Sequence, residues 1–446
     1  MDVSEKIGTA IRSPHRTKFA AALFLLLSLT AAAQISLSSA VDLAQKHSTS
    51  VRGARAEVDR AAAAVTQTRD AYFPSVVLGS SVGPPPYGFP LGNPDIYDVN
   101  AESLVFSFSQ PDYVRAARSG LRAASLSLKD AQQQVALDVA LDYVELDHDL
   151  KEIAALNEES AFAGSLVQIE EDRVGAGVDP RTSQLEAELT AAQVEEKRIE
   201  LESDADLMRH KLANLTGLPA IDLHTVPESI PVLPAFPSAA PNDQQVADNS
   251  PGVGAAYALA DSKLYSAFGD DRQNLRPSVG FGLKYQRFAQ YQNFENYYHN
   301  FQQNNISAGV QLTIPVFDPS LKAKARQSAA EAARARADAE ASRNIMDEQM
   351  AGLRGNLRQL AAQQRVAQVQ SQIAQEQLKT VETQITSGTG LPNAPGVAPT
   401  QSQKAHIQER QYYTEMLEAN LALIKVELNL LKATGQIDAW VRSSIQ

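Results

Sequence analysis

Four stretches of about ten residues, at 74–83, 100–110, 277–288 and 304–315, alternate apolar and polar side chains in a chain otherwise dominated by long helical patterns. Val279, Phe281, Leu283 and Tyr285 alternate with Ser278, Gly280, Gly282, Lys284 and Gln286, and Ile306, Ala308, Val310, Leu312 and Ile314 alternate with Asn305, Ser307, Gly309, Gln311 and Thr313. In the first half Leu104, Phe106 and Phe108 alternate with Ser103, Ser107 and Ser109. Period two with one apolar face marks a half-buried strand. An ordinary sandwich would satisfy that pattern. Two features favour lipid instead: about ten residues is what a tilted strand needs to cross a bilayer, and the accompanying helices are too long to lid so small a sheet. A lipid-exposed sheet cannot keep open edges, and four strands are too few to close a barrel. The chain is therefore expected to complete its barrel with copies of itself, two, three or four copies giving 8, 12 or 16 strands.

The helical patterns set the second constraint. No proline lies between Pro111 and Arg173, where Ala, Leu, Gln and Glu abound. Val114, Ala117, Leu121, Ala124, Leu128, Ala131 and Val135 form a heptad stripe, and Leu417, Leu421, Ile424, Leu428 and Leu431 form another. At 1.5 Å per residue, 111–173 predicts a helix of roughly 90–95 Å and 316–385 one of about 105 Å. The shorter patterns at 36–72, 180–216, 250–275 and 402–434 predict helices of roughly 40–55 Å. Two short helices end to end match one long one, so each half of the chain would supply one continuous and one composite track.

The halves share a grammar. Phe73-Pro74-Ser75-Val76 is echoed by Arg276-Pro277-Ser278-Val279, Pro111 by Pro315, Gly177 by Gly388, and Thr216-Gly217 by Thr434-Gly435. The offset is 203–204 up to Pro111 and then grows to 218 in two steps of seven, and seven residues keep a coiled-coil stripe in register. The expected organisation is an internal tandem repeat, 34–217 and 251–435, joined by a connector at 218–250, with a tail at 436–446. Seven prolines between Leu218 and Pro251 predict an irregular belt rather than helix or central strand. The loops 83–97 and 289–303, the latter carrying Tyr291, Phe294, Tyr297, Tyr298 and Phe301, are longer than hairpin turns. Interfacial anchoring is the plainer role for those aromatics.

Residues 1–33 read as an address. Lys6, Arg12, Arg16 and Lys18 precede an apolar run from Phe19 that ends in Ala31-Ala32-Ala33, the pattern of a cleaved export signal. No later stretch reaches 18 apolar residues, so a membrane location would require strands. Forty Lys and Arg stand against 52 Asp and Glu, a formal charge of −12 that falls to −14 without the signal. Phosphate binding needs a basic face, so nucleic acid is not an expected partner. The absence of cysteine removes disulfides, thiolate metal sites and a Cys nucleophile. The histidines at 15, 47, 148, 210, 224, 299 and 406 show no metal-ligand spacing, and no nucleophile elbow, P-loop or H-E-x-x-H motif occurs. No catalytic residue, cofactor site or dedicated metal site is expected, and the chain is not read as an enzyme.

One constellation stands out. Asp138, Asp142, Glu145, Asp149 and Glu152, with His148 beside them, share one helical face. A solvated stripe is the plainer reading. Repeated around an axis it would instead form a lumen-facing acidic band that selects cations. A metal site is the remotest of the three.

These features, in order and duplicated, resemble the TolC-like outer membrane efflux proteins across essentially all of 35–440. Ile35-Ser36-Leu37, Ala40-Val41-Asp42-Leu43-Ala44 and Val51-Arg52-Gly53-Ala54-Arg55-Ala56 are similar to the family's first helix, and Tyr72-Phe73-Pro74-Ser75 to its entry into the first strand. Arg173-Val174-Gly175-Ala176-Gly177-Val178, with Leu185 and Ala187, resembles the helix–turn–helix at the periplasmic tip. The resemblance implies a mainly α protein forming a homotrimer, whose 12-stranded β-barrel in outer membrane lipid continues as a long periplasmic α-helical barrel. It implies an exit duct for tripartite efflux or type I secretion, with a periplasmic adaptor protein and an inner-membrane pump as partners. The docking tips would be Arg173, Val174, Gly175, Gly177 and Val178, with Ser387, Gly388 and Gly390. The second tip departs from the pattern: Gly388 to Ala405 covers 17 residues where Gly177 to Ala187 covers 10, and 391–399 adds three prolines. Positions where some members place acidic residues to narrow the periplasmic constriction fall near Gln401 and Lys404, which carry no negative charge. A periplasmic coiled-coil adaptor or scaffold is the alternative from a different class; adaptors carry one helical hairpin, and this chain has two.

Overall fold

The computed structural model describes residues 33–80, 95–220, 223–234, 236, 250–274, 276–288, 304–386 and 399–443. The expected export signal up to residue 32, the aromatic loop 289–303, Ser387, Gly388, Gly390 and the insertion up to residue 398 lie outside the described residues. In chain order the elements are β1 (Ala33–Ile35), α1 (Leu37–His47), α2 (Thr49–Arg69), β2 (Ser75–Gly79), β3 (Asp95–Ser107), α3 (Gln110–Gly175), α4 (Arg181–Thr216), β4 (Leu223–Thr225), α5 (Pro251–Gln273), β5 (Ser278–Phe288), β6 (Asn304–Thr313), α6 (Pro319–Thr386), α7 (Pro399–Ala433) and α8 (Ile437–Arg442).

The two long helices begin and end where their sequences dictate. Proline in the first turn of α3 loses no hydrogen bond, since the first N–H groups of a helix have no intrahelical partner. In α6 the Asp318 carboxylate accepts from the N–H groups of Ser320 (2.9 Å) and Leu321 (3.3 Å), capping that end. Sixty-six residues of α3 and 68 of α6 correspond to about 100 Å each.

The helices lie side by side as one wall. Near the sheet the order of packed neighbours is α2, α3, α5, α6; farther away it is α4, α3, α7, α6. Thus α2 and α4 share one flank of α3, and α5 and α7 fill the space between α3 and α6. The sheet repeats that order, β2-β3-β5-β6, with every pair antiparallel.

Four local readings of the sequence are corrected. The helix expected over 36–72 breaks at Ser48, whose ψ of 132° ends α1 and whose carbonyl accepts from Arg52 N–H to start α2. The connector is not wholly irregular, because β4 pairs in parallel with β1 through Ala33–Leu223, Gln34–His224 and Ile35–Thr225. The expected tail contains α8, with Ile437, Trp440 and Val441 buried. In β3 a register shift at Val105 sets Leu104 opposite Gly280 and Phe106 opposite Val279. A bulge adds one residue, so Leu104 and Phe106 occupy opposite faces despite their spacing of two.

The thickest core lies at the belt, where α1, mid-α3, the ends of α4 and α7, and α8 bury Leu37, Val41, Leu146, Leu212, Leu428, Leu431 and Trp440. Tyr143 ties the belt to it. Its hydroxyl donates to the Ile35 carbonyl (2.7 Å), accepts from Val226 N–H (2.6 Å) and lies 3.0 Å from Ser229 Oγ. Tyr143→Phe leaves those backbone groups without this partner, at an expected cost of about 1–3 kcal/mol. Thermal unfolding measures it: the midpoint falls, and cleavage within 218–236 by a protease rises. An unchanged midpoint would show that the belt holds without the phenol.

Candidate functional site: a wall with two faces, two edges and a tip

The faces of the sheet differ in chemistry. Register places Val76, Leu78, Val99, Ala101, Phe106, Val279, Phe281, Leu283, Tyr285, Ile306, Ala308, Val310 and Leu312 on one face. Ser75, Asp98, Asn100, Glu102, Lys284, Gln286, Asn305, Ser307, Gln311 and Thr313 share the other. Among the described residues nothing packs over the apolar positions at its outer strands: Leu78, Ile306 and Val310 are about 70% exposed. A contiguous apolar face of this extent is not left in water by an isolated soluble domain.

The edges are equally bare. On α4, Ala187, Val194, Leu201, Ala205 and Leu212 pack inward while Leu185, Leu189, Ile199 and Leu207 point away, all exposed. On α6, Ala367, Ser371 and Ala374 are buried while Val366, Val369 and Ile373 are exposed on the side turned away. Among the described residues the outer flanks of β2 and β6 have no strand beside them. Sheet and wall therefore end in open edges on the same two sides.

At the far end, α3 turns into α4. Gly177 (φ +74°) supplies the left-handed residue that ends the helix. The N–H of Ala176 bonds Asp172, that of Gly177 bonds Val174, and that of Val178 bonds Arg173. Arg173 clamps Asp179 with two guanidinium nitrogens, which holds the Asp179 carboxyl below the usual range; the Lys404 charge adds to this. Of the tip residues expected from sequence, Arg173 and Val174 are half-buried, and Gly175, Gly177 and Val178 are exposed. Gln401 and Lys404 are exposed at the start of α7. Beside them His406 stacks on Phe162 (4.3 Å between ring centres) and lies 3.8 Å from Glu382. A groove of about 400 Å³ between α4 and α7, floored by Leu166 of α3, runs up from the tip.

The acidic stripe is not a uniformly solvated face. Asp138, Asp142 and Glu145 are half-buried, and Asp149 and Glu152 are buried within the chain itself. Lys211 of α4 lies 4.0 Å from Asp142, and Lys425 of α7 lies 2.9 Å from Glu145. Burial pushes the Asp142 carboxyl up to about 6, with Lys211 opposing and Asp138 and Glu145 adding. Periodicity identified the face but not the helices that cover it, since nothing in a heptad says which partner lies opposite. Among the described residues no group of three His, Asp or Glu is placed to hold a metal ion, and no helix is long and apolar enough to cross a membrane.

Sequence spacing also missed a polar junction below the sheet. Asp112, wholly buried, bonds Arg272, while buried Asp270 accepts from Tyr113 (2.6 Å) and pairs with Lys324 (2.9 Å). These carboxylates fasten α3, α5 and α6 where helices pass into strands. Gly269 is required there, since a Cβ would meet the Tyr113 ring at 2.5 Å.

A four-stranded antiparallel sheet continued by a wall of paired long helices is the fold of the TolC-like outer-membrane channels. The chain superposes on the outer-membrane channel OprN with a TM-score of 0.71 at 16% identity, covering 91% of this chain and 90% of that one. It superposes on the CmeC outer membrane channel of Campylobacter jejuni at 0.70 and 14% identity, covering 97% and 94%, and on the open MtrE outer membrane channel of Neisseria gonorrhoeae at 0.69 and 16%, covering 90% and 89%. No family model matches the sequence, and no curated protein matches it.

Proposed function

We propose that the chain is one third of a trimeric outer-membrane duct that passively conducts cargo delivered from the periplasm. The observation that carries this reading is the coincidence of open edges: among the described residues, sheet and helical wall run in the same order and stop, unpaired, on the same two sides. Because β2, β3, β5 and β6 alternate in direction, β6 of one copy can receive β2 of the next antiparallel, and the ring closes without a mismatched pair. Three copies make 12 strands, with the apolar face against acyl chains and the polar face lining the pore. The exposed apolar rows of α4 and α6 then meet across each subunit boundary and continue the barrel as a helical tube into the periplasm.

The organisation that goes with it is an export signal at 1–33, repeats at 34–217 and 251–435 joined by the 218–250 belt, and a C-terminal segment at 436–446. The tip around Arg173, Val174, Gly175, Gly177 and Val178, with Ser387, Gly388 and Gly390, docks a periplasmic adaptor, through which an inner-membrane pump supplies the energy. Gln401 and Lys404 line the constriction there without an acidic ring. Of the acidic stripe, Asp138, Asp142 and Glu145 are the members exposed enough to act on cations in a lumen. The duct performs no catalytic chemistry. Membrane fractionation followed by unheated gel electrophoresis tests the reading. The expected result is an SDS-resistant trimer in the outer membrane; a soluble periplasmic monomer would overturn it in favour of a scaffold.

A further inference from the structure

Beside the belt core on its tipward side, next to Leu146 and Leu150, His148, Asp149 and Glu152 of α3 crowd into one buried spot. His148 is 8% exposed, and neither ring nitrogen has a hydrogen-bond partner; Asp149 Oδ2 lacks one too. His148 Nδ1 stands 3.5 Å from Asp149 Oδ1 and 3.7 Å from Glu152 Oε2, too far for a good hydrogen bond yet close enough for strong charge coupling. Buried polar atoms without partners cost stability and call for a reason. Over this spot the two helices that flank α3 reach each other, Lys197 of α4 lying 3.5 Å from Glu418 of α7.

The charges facing the cluster come from all three helices. From α4 comes Lys197, with Glu200 3.8 Å behind it. From α7 come Glu418 and, a turn or two away, Lys425, which Glu145 of α3 already engages. By formal count, Asp149, Glu152 and Glu418 set three carboxylates against the one ammonium of Lys197. One proton halves that excess of two.

We propose that the His148–Glu152 cluster is a proton-operated latch: holding one proton keeps α4 and α7 drawn together across α3, and losing it drives α7 away through repulsion between Glu152 and Glu418. Contact between α4 and α7 on one side of α3 curls the wall, so separating them uncurls it and widens the tube toward the tip. This rests on the reading of the chain as a duct wall and adds its regulation: a more acidic periplasm keeps the duct shut. Burial, and after it the Glu418 charge, carries the Glu152 carboxyl up to about 7, against an ordinary 4.5. A folded-state value raised in this way stabilises the curled state fully below about pH 4.5, and the contribution is lost as pH rises through about 7.

The test uses the full chain reconstituted in planar bilayers, with open probability measured from about pH 5.5 to about pH 8.5, alongside thermal melting in detergent. In the wild type, openings become more frequent with rising pH, by at most about tenfold per pH unit, the limit for one linked proton. Glu152→Gln, a permanent mimic of the protonated acid, stays shut across the range. Glu418→Gln, which removes the charge that repels ionised Glu152, opens less at high pH and shows a weaker rise of openings with pH. A wild type that conducts without pH dependence, or a Glu152→Gln variant that keeps it, overturns the latch. Absence of conductance under every condition counts against the duct itself. The latch is then judged on melting, where the wild-type midpoint must fall from about pH 6 to about pH 8 and that of Glu152→Gln must not.

Discussion

Val310→Arg should remove the chain from the outer membrane, while Gln311→Arg, one residue away, should leave assembly intact. The two side chains lie on opposite faces of β6: Val310 is set across from Phe281 and Gln311 across from Gly280. Val310 is 71% exposed in the isolated chain, on the face assigned to lipid. A single arginine facing lipid near the bilayer midplane costs about 2–4 kcal/mol, and a trimer carries three, for a total of about 6–12 kcal/mol. That rivals the whole stability of a typical domain, about 5–15 kcal/mol. At position 311 the guanidinium lies on the polar face, which lines the lumen of the proposed barrel, and meets no such penalty. The measurement is outer-membrane content of each variant together with its heat-modifiable gel mobility. Equal tolerance at both positions would mean that the apolar face touches something other than lipid, and the membrane reading would fail with it. A soluble sandwich predicts milder losses at Val310 and continued solubility.

Much of this sheet was legible in the sequence because strand periodicity is local. Ile306, Ala308, Val310 and Leu312 share a face for any partner, and the structure puts them there. The failures occur where a distant partner decides. Leu104 and Phe106 are two apart, and only pairing with β5 reveals the extra residue at Val105. The prolines of the connector excluded a central strand but not the three residues Leu223–Thr225, which pair with a segment almost two hundred residues away. Ser48 ends α1 without a proline or glycine to announce it. The site divides the same way. Gly177 could be read as a break because it lies between two long helical patterns, and the chain turns there with a φ of +74°. The heptad arithmetic that gathered Asp138 to Glu152 on one face could not say that α4 and α7 cover its lower end. Neither could it single out Tyr143, whose partners all come from outside its own helix.

A chain with no cysteine offers a direct count of copies. With Val77→Cys on β2 and one second cysteine scanned through Ser307, Gly309 and Gln311 on β6, oxidation should link the edges of neighbouring copies at a matched register. Val77 pairs with Asn100 and so lies on the polar face, as do the three scanned positions. An oxidant in the water of the proposed lumen therefore reaches both partners. Directly opposed residues on antiparallel strands have Cβ atoms about 4.5–5.5 Å apart, near enough to the disulfide range for linking after small adjustments; a register slip of one residue turns a side chain to the other face and forbids the bond. One scanned position should thus react far faster than the rest. Non-reducing gels should show bands of one, two and three chains and none larger, because the third link closes the ring on itself. Termination at two or four chains would replace 12 strands with 8 or 16. An unending ladder would mean that the edges pair head to tail without closing, as in a filament. If no position links, β2 and β6 do not meet, and closure by copies of the chain fails at its physical premise.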